Sequence, residues 1–255
     1  MAAPRNRAVF GANKYAALHL IVARWLRLHA ANTPHHYVTL GGSELKDIRN
    51  LSFIGKDLVE GATSYEQDSR RFAFAEETSL TLLDRLGVAC VQGDIFEFRR
   101  TKDQPHLVFV DLEGACRAAD YVEKFARFFG EGVLKPGDGL LITSYLGRNA
   151  GWSRVLSAYD AEFRILGITS TTSQKWWYRR AHPAFTLFRA IEQAGMLSTI
   201  RVDCVGCVLY ADTSPMGLYG YAMTNGNTQL RGISIQGPYL HMKSGFVPEL
   251  VDPAE

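Results

Sequence analysis

Short apolar runs alternate with segments of helical periodicity along most of the chain, and this alternation constrains its fold more than any other feature. Strand-like runs stand at 36–40, 59–65, 88–91, 107–110 and 140–144. Helix-like segments at 44–54, 69–86 and 118–129 lie between most of them. Leu107-Val108-Phe109-Val110 is apolar at four successive positions, which suits a strand buried on both faces. Such strands, joined by helices, build βαβ units and a parallel sheet with helices on both sides. Ser43 is placed to N-cap the segment 44–54, and Gly87 to end 69–86. Ahead of the first strand, 13–31 predicts a helix with Ala16, Leu20, Val22 and Leu26 toward the core. Asn13 would cap it and Pro34 would close it. The end of the chain changes character. A helix at 184–194 is followed by two β-rich runs, 201–211 and 218–224, joined at 212–217 as in a hairpin. The tail from Asn225 is rich in Gly and polar residues and gives no placement.

A length of 255 residues suits one large domain, or one domain with small additions. With 47% hydrophobic residues, such a chain buries a core without staples. Four Cys are too few to set the fold, and 23 Gly with 9 Pro show no collagen-like period. Lys and Arg number 28 against 26 Asp and Glu, so overall charge implies no general coating of nucleic acid. Any such contact needs a local basic patch. The most apolar early stretch, 15–28, is interrupted by His19, Arg24 and Arg27, too charged to span a bilayer. No unbroken apolar core with a small-residue cleavage site follows the start, so a cytoplasmic protein is expected.

In a parallel sheet, ligands sit beyond the carboxyl ends of the strands. Gly41-Gly42-Ser43 follows the first strand, Glu66 the second and Asp94 the third. Asp111 and Glu113 follow the fourth, and Ser144-Tyr145 the fifth. Three successive strand ends therefore carry a carboxylate.

From Tyr37 to Thr224 this layout resembles the class I S-adenosylmethionine-dependent methyltransferases. The resemblance implies a Rossmann-like three-layer α/β/α sandwich: a mostly parallel sheet of five strands closed by a C-terminal antiparallel hairpin. Residues 35–224 would form that domain, 1–34 an N-terminal helical extension and 225–255 a C-terminal tail. It also implies S-adenosylmethionine as cofactor. Thr39-Leu-Gly-Gly-Ser43 would approach its methionine part, with Gly41, Gly42 and Ser43 in contact. Glu66 would take the ribose hydroxyls, Asp94 the adenine amino group, and Asp111 would stand near the reacting methyl. Asp111 or Glu113 would orient or deprotonate an oxygen or nitrogen acceptor, and Tyr145 would shape the site. The run Leu134-Lys-Pro-Gly-Asp-Gly-Leu-Leu-Ile-Thr143 is similar to the family's turn into its fifth strand. One motif departs from the pattern: the family's first turn usually has three spaced glycines and a preceding acid. Here Gly41-Gly42 follows Val38-Thr39-Leu40.

Each carboxylate also has a plainer reading as a helix-capping or solvated acid. Lys175-Trp176-Trp177-Tyr178-Arg179-Arg180 mixes aromatics that stack on bases with cations that hold phosphates. Lys175, Trp176, Trp177 and Arg179 are thus candidates for binding the acceptor, with RNA or DNA slightly favoured over a small molecule. The plainer reading is a helix start with its Trp pair on the core. Arg99, Arg100 and Lys102 read as a solvated basic loop. Cys204-Val-Gly-Cys207 lies in a strand, where residues three apart face opposite sides, so buried thiols are expected rather than a metal site. His35-His36 is expected at a loop edge, and no His spacing suggests a metal. No P-loop, nucleophile elbow or GxGxxG is present, which disfavours a nicotinamide-dependent oxidoreductase. A non-catalytic module that kept the fold is the other alternative.

Overall fold

The computed structural model describes residues 12–29, 33–51, 59–82, 86–101, 103–112, 114, 116, 118–146, 174–211, 215–226, 233–234, 239–242 and 248–250. Ten strands form one sheet. Five of them form one parallel block: β1 (His35–Thr39), β2 (Val59–Glu66), β3 (Gly87–Gln92), β4 (His106–Asp111) and β5 (Gly139–Tyr145). Next come β6 (Ile200–Ala211) and β7 (Pro215–Asn225), an antiparallel hairpin whose second strand runs against β5. Three short strands follow: β8 (Ile233–Ser234), β9 (Tyr239–Met242) and β10 (Pro248–Leu250). From one edge the order is β3, β2, β1, β4, β5, β7, β6, β9, β10, with β8 also on β6. The expected α/β sandwich and its closing hairpin are therefore present. The unplaced tail lengthens the sheet.

Alternation along the strands explains both cores. Tyr37, Leu107, Phe109 and Leu141 point to one face, and Val38, Val108, Val110, Leu140 and Ile142 to the other. The first face is covered by α1 (Ala12–His29), α2 (Lys46–Leu51) and α3 (Ser69–Leu80). The second is covered by α4 (Ala118–Gly130), α5 (Gln174–Gln193) and a 3-10 turn at Ile95–Glu97. Phe125, Phe128 and Phe129 of α4 meet Phe185 and Ile191 of α5 in the same apolar cluster.

Helix α1 lies over β6 and β7, with Leu18, Ile21, Val22 and Trp25 fully buried. The approach is so close that a Cβ on Gly220 of β7 would stand 2.4 Å from Ile21 Cγ2. Only glycine fits there. Arg24 Nε donates to the Val205 carbonyl at 2.7 Å, pinning the helix to β6. Among the described residues no helix is long and apolar enough to cross a membrane.

Several local expectations need correction. Helix α2 begins at Lys46 rather than at 44, because Gly42 through Leu45 form a turn with Leu45 at φ 47°. Ser43 therefore does not cap it. Helix α3 ends at Leu80, six residues early, and Asp68 caps its start by accepting from Arg70 N and Arg71 N. His35 is not at a loop edge. It begins β1, 2% exposed, with its ring edge-on to Trp25 at 4.7 Å between centroids. Burial lowers its pKa. Arg100 is no solvated cation either: it forms a two-pronged ion pair with Asp138, at 2.7 and 3.2 Å, and donates to Val133 O and Gln104 O. Two carbonyls and a buried carboxylate outcompete water there. Arg99 meets the expectation better, half-exposed beside Glu131, and Lys102 lies outside the described residues.

The Cys204–Cys207 geometry also differs. A bulge between Cys204 and Gly206 inserts an extra residue, so Cys204 pairs with Tyr221 and Cys207 with Tyr219. Those tyrosines are two apart, which puts both thiols on one face of the sheet. Neither forms a disulfide, and no metal-binding group occurs among the described residues.

Candidate functional site

The strand order reverses between β1 and β4, so the chain leaves these neighbours in opposite directions. The space beyond the carboxyl ends at such a reversal is the crevice in which open α/β sheets hold ligands. Thr39 of β1 pairs with Ser64 of β2 and with Phe109 of β4, and Asp111 of β4 pairs with Thr143 of β5. The candidates Gly41, Gly42, Ser43, Glu66, Asp94, Asp111 and Tyr145 therefore all lie at one end of the sheet.

The turn after β1 is shaped by close packing. A Cβ on Gly41 would stand 2.5 Å from Ser64 Oγ and 3.0 Å from Leu45 Cδ2, so no side chain fits. The Gly41 N–H donates to that same Ser64 hydroxyl at 3.2 Å. Gly42 has φ 57°, and a Cβ there would meet no described atom within 4 Å. Leu45 holds a left-handed backbone at some cost, offset by its fully buried side chain. Bare backbone with open space beside it suits a ligand that packs directly on the main chain.

Behind this turn is a buried acid that sequence reasoning missed. Asp47, 6% exposed, accepts from Thr39 Oγ1 at 2.5 Å and from the Tyr37 hydroxyl at 3.1 Å. Its Oδ1 has no hydrogen-bond partner among the described residues, and a Cβ on Gly41 would lie 3.4 Å from it. Burial raises the Asp47 pKa, against the opposing effects of Thr39, the Ile48 N–H, Lys14 and Tyr37. Thr39 thus stands where a preceding acid was sought, and a carboxylate reaches it from α2.

Asp111 is the second carboxylate of this crevice. Its Oδ1 accepts from Thr143 Oγ1 at 2.7 Å, and its Oδ2 is ion-paired with Lys14 of α1. Lys14 and Asp111 side chains are only 11% and 18% exposed. The Lys14 ammonium also lies 5.7 Å from the centre of the Phe109 ring. Burial pushes the Tyr15 pKa up, with the charges of Asp47, Asp111 and Glu44 adding to it. Lys14 was missed too, although a signal existed. It begins the stripe Lys14, Leu18, Ile21, Trp25, whose other members form the core.

The remaining candidates separate. Glu66 is half-buried at the end of β2, with Oε1 accepting from Asp68 N at 3.0 Å. Asp94 caps the 3-10 turn through Phe96 N at 3.1 Å, and Lys124 stands 3.3 Å from its other oxygen. Tyr145 is half-buried at the end of β5, where its N–H donates to Gly114 O at 3.1 Å. Glu113 lies outside the described residues. Lys175, Trp176, Trp177 and Arg179 have helical backbone in the first turns of α5, and their side chains lie outside the described set.

No protein-family model and no curated protein matches the chain. Solved structures do match. An S-adenosylmethionine-dependent methyltransferase from Clostridium acetobutylicum ATCC 824 aligns at 9% identity and a TM-score of 0.50, over 83% of this chain and 92% of that one. The mitomycin 7-O-methyltransferase MmcR aligns at 15% identity and a TM-score of 0.46, over 82% of this chain and 53% of its own. An rRNA methylase from Streptococcus thermophilus aligns at 11% identity and a TM-score of 0.41, over 88% and 100%. At these identities the first match speaks for the fold alone, and the chain shares the fold of that protein.

Proposed function

We propose that the chain is an S-adenosylmethionine-dependent methyltransferase acting on an oxygen or nitrogen acceptor. The observation that carries this reading is the β1/β4 crevice itself. It has a glycine turn with no room for a side chain at Gly41, and carboxylates at the ends of the flanking strands, Glu66 and Asp111. Gly41, Gly42 and Ser43 would meet the methionine part of the cofactor, Glu66 the ribose diol and Asp94 the adenine side. When bound, S-adenosylmethionine supplies a methyl group already activated by a sulfonium.

The chain then has to align an acceptor and handle one proton. Asp111 would do this. Thr143 fixes the carboxylate's orientation through Oδ1, and Lys14 is ion-paired with Oδ2. An ionised carboxylate can accept a hydrogen bond from an acceptor O–H or N–H and draw off its proton. Tyr145, at the neighbouring strand end, would wall the acceptor side.

Within this reading we favour a nucleic-acid acceptor. Its support is the sequence Lys175-Trp-Trp-Tyr-Arg-Arg180 in the first turns of α5, the element packed on α4. Calorimetry tests the cofactor: S-adenosylmethionine should bind and NAD should not. Glu66→Ala should weaken binding by about 1.5–3 kcal/mol, the loss expected for charged hydrogen bonds to a diol. Unchanged affinity in the folded variant would remove Glu66 from the site. For the acceptor, replacing Lys175 and Arg179 by Ala should reduce RNA or DNA binding and flatten its salt dependence. Normal behaviour of that variant with RNA and DNA would leave a small molecule as the acceptor.

A further inference from the structure

We infer that Lys14, delivered by the N-terminal helix, sets the charge of the cofactor crevice and so governs how strongly it prefers a cationic occupant over a neutral one. The inference rests on the cofactor reading above. Its ligands differ by a single charge: S-adenosylmethionine carries a sulfonium, and its demethylated product, S-adenosylhomocysteine, a neutral thioether.

Lys14 belongs to α1, an element outside the βαβ units, yet its ammonium pairs with Asp111 at the end of β4. Asp47, at the start of α2, is close enough for the Lys14 charge to act on it, and both carboxylates act on Tyr15. These groups thus form one electrostatic unit beneath the glycine turn. Asp47 Oδ1 is buried without a hydrogen-bond partner among the described residues and lies against Gly41. With both acids ionised, Asp47 and Asp111 face one ammonium, and a sulfonium entering the crevice meets a surplus of negative charge, to which Glu44 adds. Without the Lys14 charge the crevice becomes more negative by one unit, whatever the state of Asp47. A sulfonium would then bind more tightly while a thioether would gain little. Lys14 therefore limits cofactor affinity relative to product, and α1 is a working part of the site rather than only a cover for the sheet.

The test is calorimetric, with S-adenosylmethionine and S-adenosylhomocysteine measured on wild type, Lys14→Met and Lys14→Arg at one pH and ionic strength. Lys14→Met should raise the ratio of the two binding constants by about five- to tenfold, the scale of one unit charge across a partly screened site. Lys14→Arg should keep the ratio within about twofold, since it keeps the charge. A structural role alone would weaken both ligands equally, and an unchanged ratio in Lys14→Met overturns the inference. Should that variant not fold, Asp111→Asn decides: loss of a negative charge should lower the ratio, and an unchanged ratio again overturns it. Failure of wild type to bind either ligand would overturn the cofactor reading, and the inference with it.

Discussion

His106 opens β4, 1% exposed, with the rings of His36 and Phe98 each 5.5 Å away. Burial lowers its pKa from 6.5 to about 4, and the charges of Arg100, His36 and Lys135 push the same way. The native ring is therefore neutral. Between those two values the unfolded chain binds the proton and the native chain does not. Its contribution to stability is complete above about pH 6.5 and is lost as pH falls toward 4. The melting temperature should drop by several degrees between pH 7 and pH 5, and His106→Asn should flatten part of that slope. Arg100 carries a second prediction. Asp138 is 1% exposed and held by Arg100, the His106 N–H and the Lys135 N–H. Arg100→Met strands that carboxylate, and a loss of about 3–5 kcal/mol in urea unfolding is expected. At Gly41 the expected cost of Ala is about 1–3 kcal/mol, the usual range for overpacking. Because Ser64 Oγ is the nearest obstacle, the same substitution should cost less in a Ser64→Ala background.

Elements differ in how plainly the sequence announces them. Strand β4 is written in four apolar residues, and α1 in a stripe that recurs through Leu18, Ile21 and Trp25. The start of α2 was less legible, because Leu45 takes a left-handed backbone that only its burial sustains. That shift also hid Asp47, since an acid beside a helix start reads as a cap until its partners Thr39 and Tyr37 are seen. The bulge in β6 was invisible for a related reason: an extra residue changes no local pattern, yet it reverses which face Cys207 takes. Strands β8, β9 and β10 are only two to four residues long, and β8 and β9 pair with β6, already in place, while β10 pairs with β9. This makes the tail testable as an element. Removing residues 227–255 uncovers the backbone of Cys207 to Leu209, which pairs with Tyr239 to His241. An unprotected strand edge invites pairing between chains. Size-exclusion chromatography of the shortened chain should show higher-order species that the full chain lacks.

On the scale of the whole molecule, the run of parallel strands closed by a hairpin was the most legible feature, and the site the least. Parallel strands need crossovers, and the carboxylates at successive strand ends fall at one end of the sheet as a consequence of that topology. Glu66 and Asp111 stand at such ends, two strands apart with β1 between them. Lys14 could not be found so, because nothing in the local sequence ties residue 14 to residue 111. Such long-range ties are common in this fold. Ile21 packs on Gly220, and Arg24 bonds to Val205, 181 positions away. During synthesis the buried stripe of α1 is therefore complete long before β6 and β7 emerge to receive it. The helix must wait with Ile21 and Trp25 uncovered, so the chain should fold slowly for its size and be exposed to aggregation until its last third has been made.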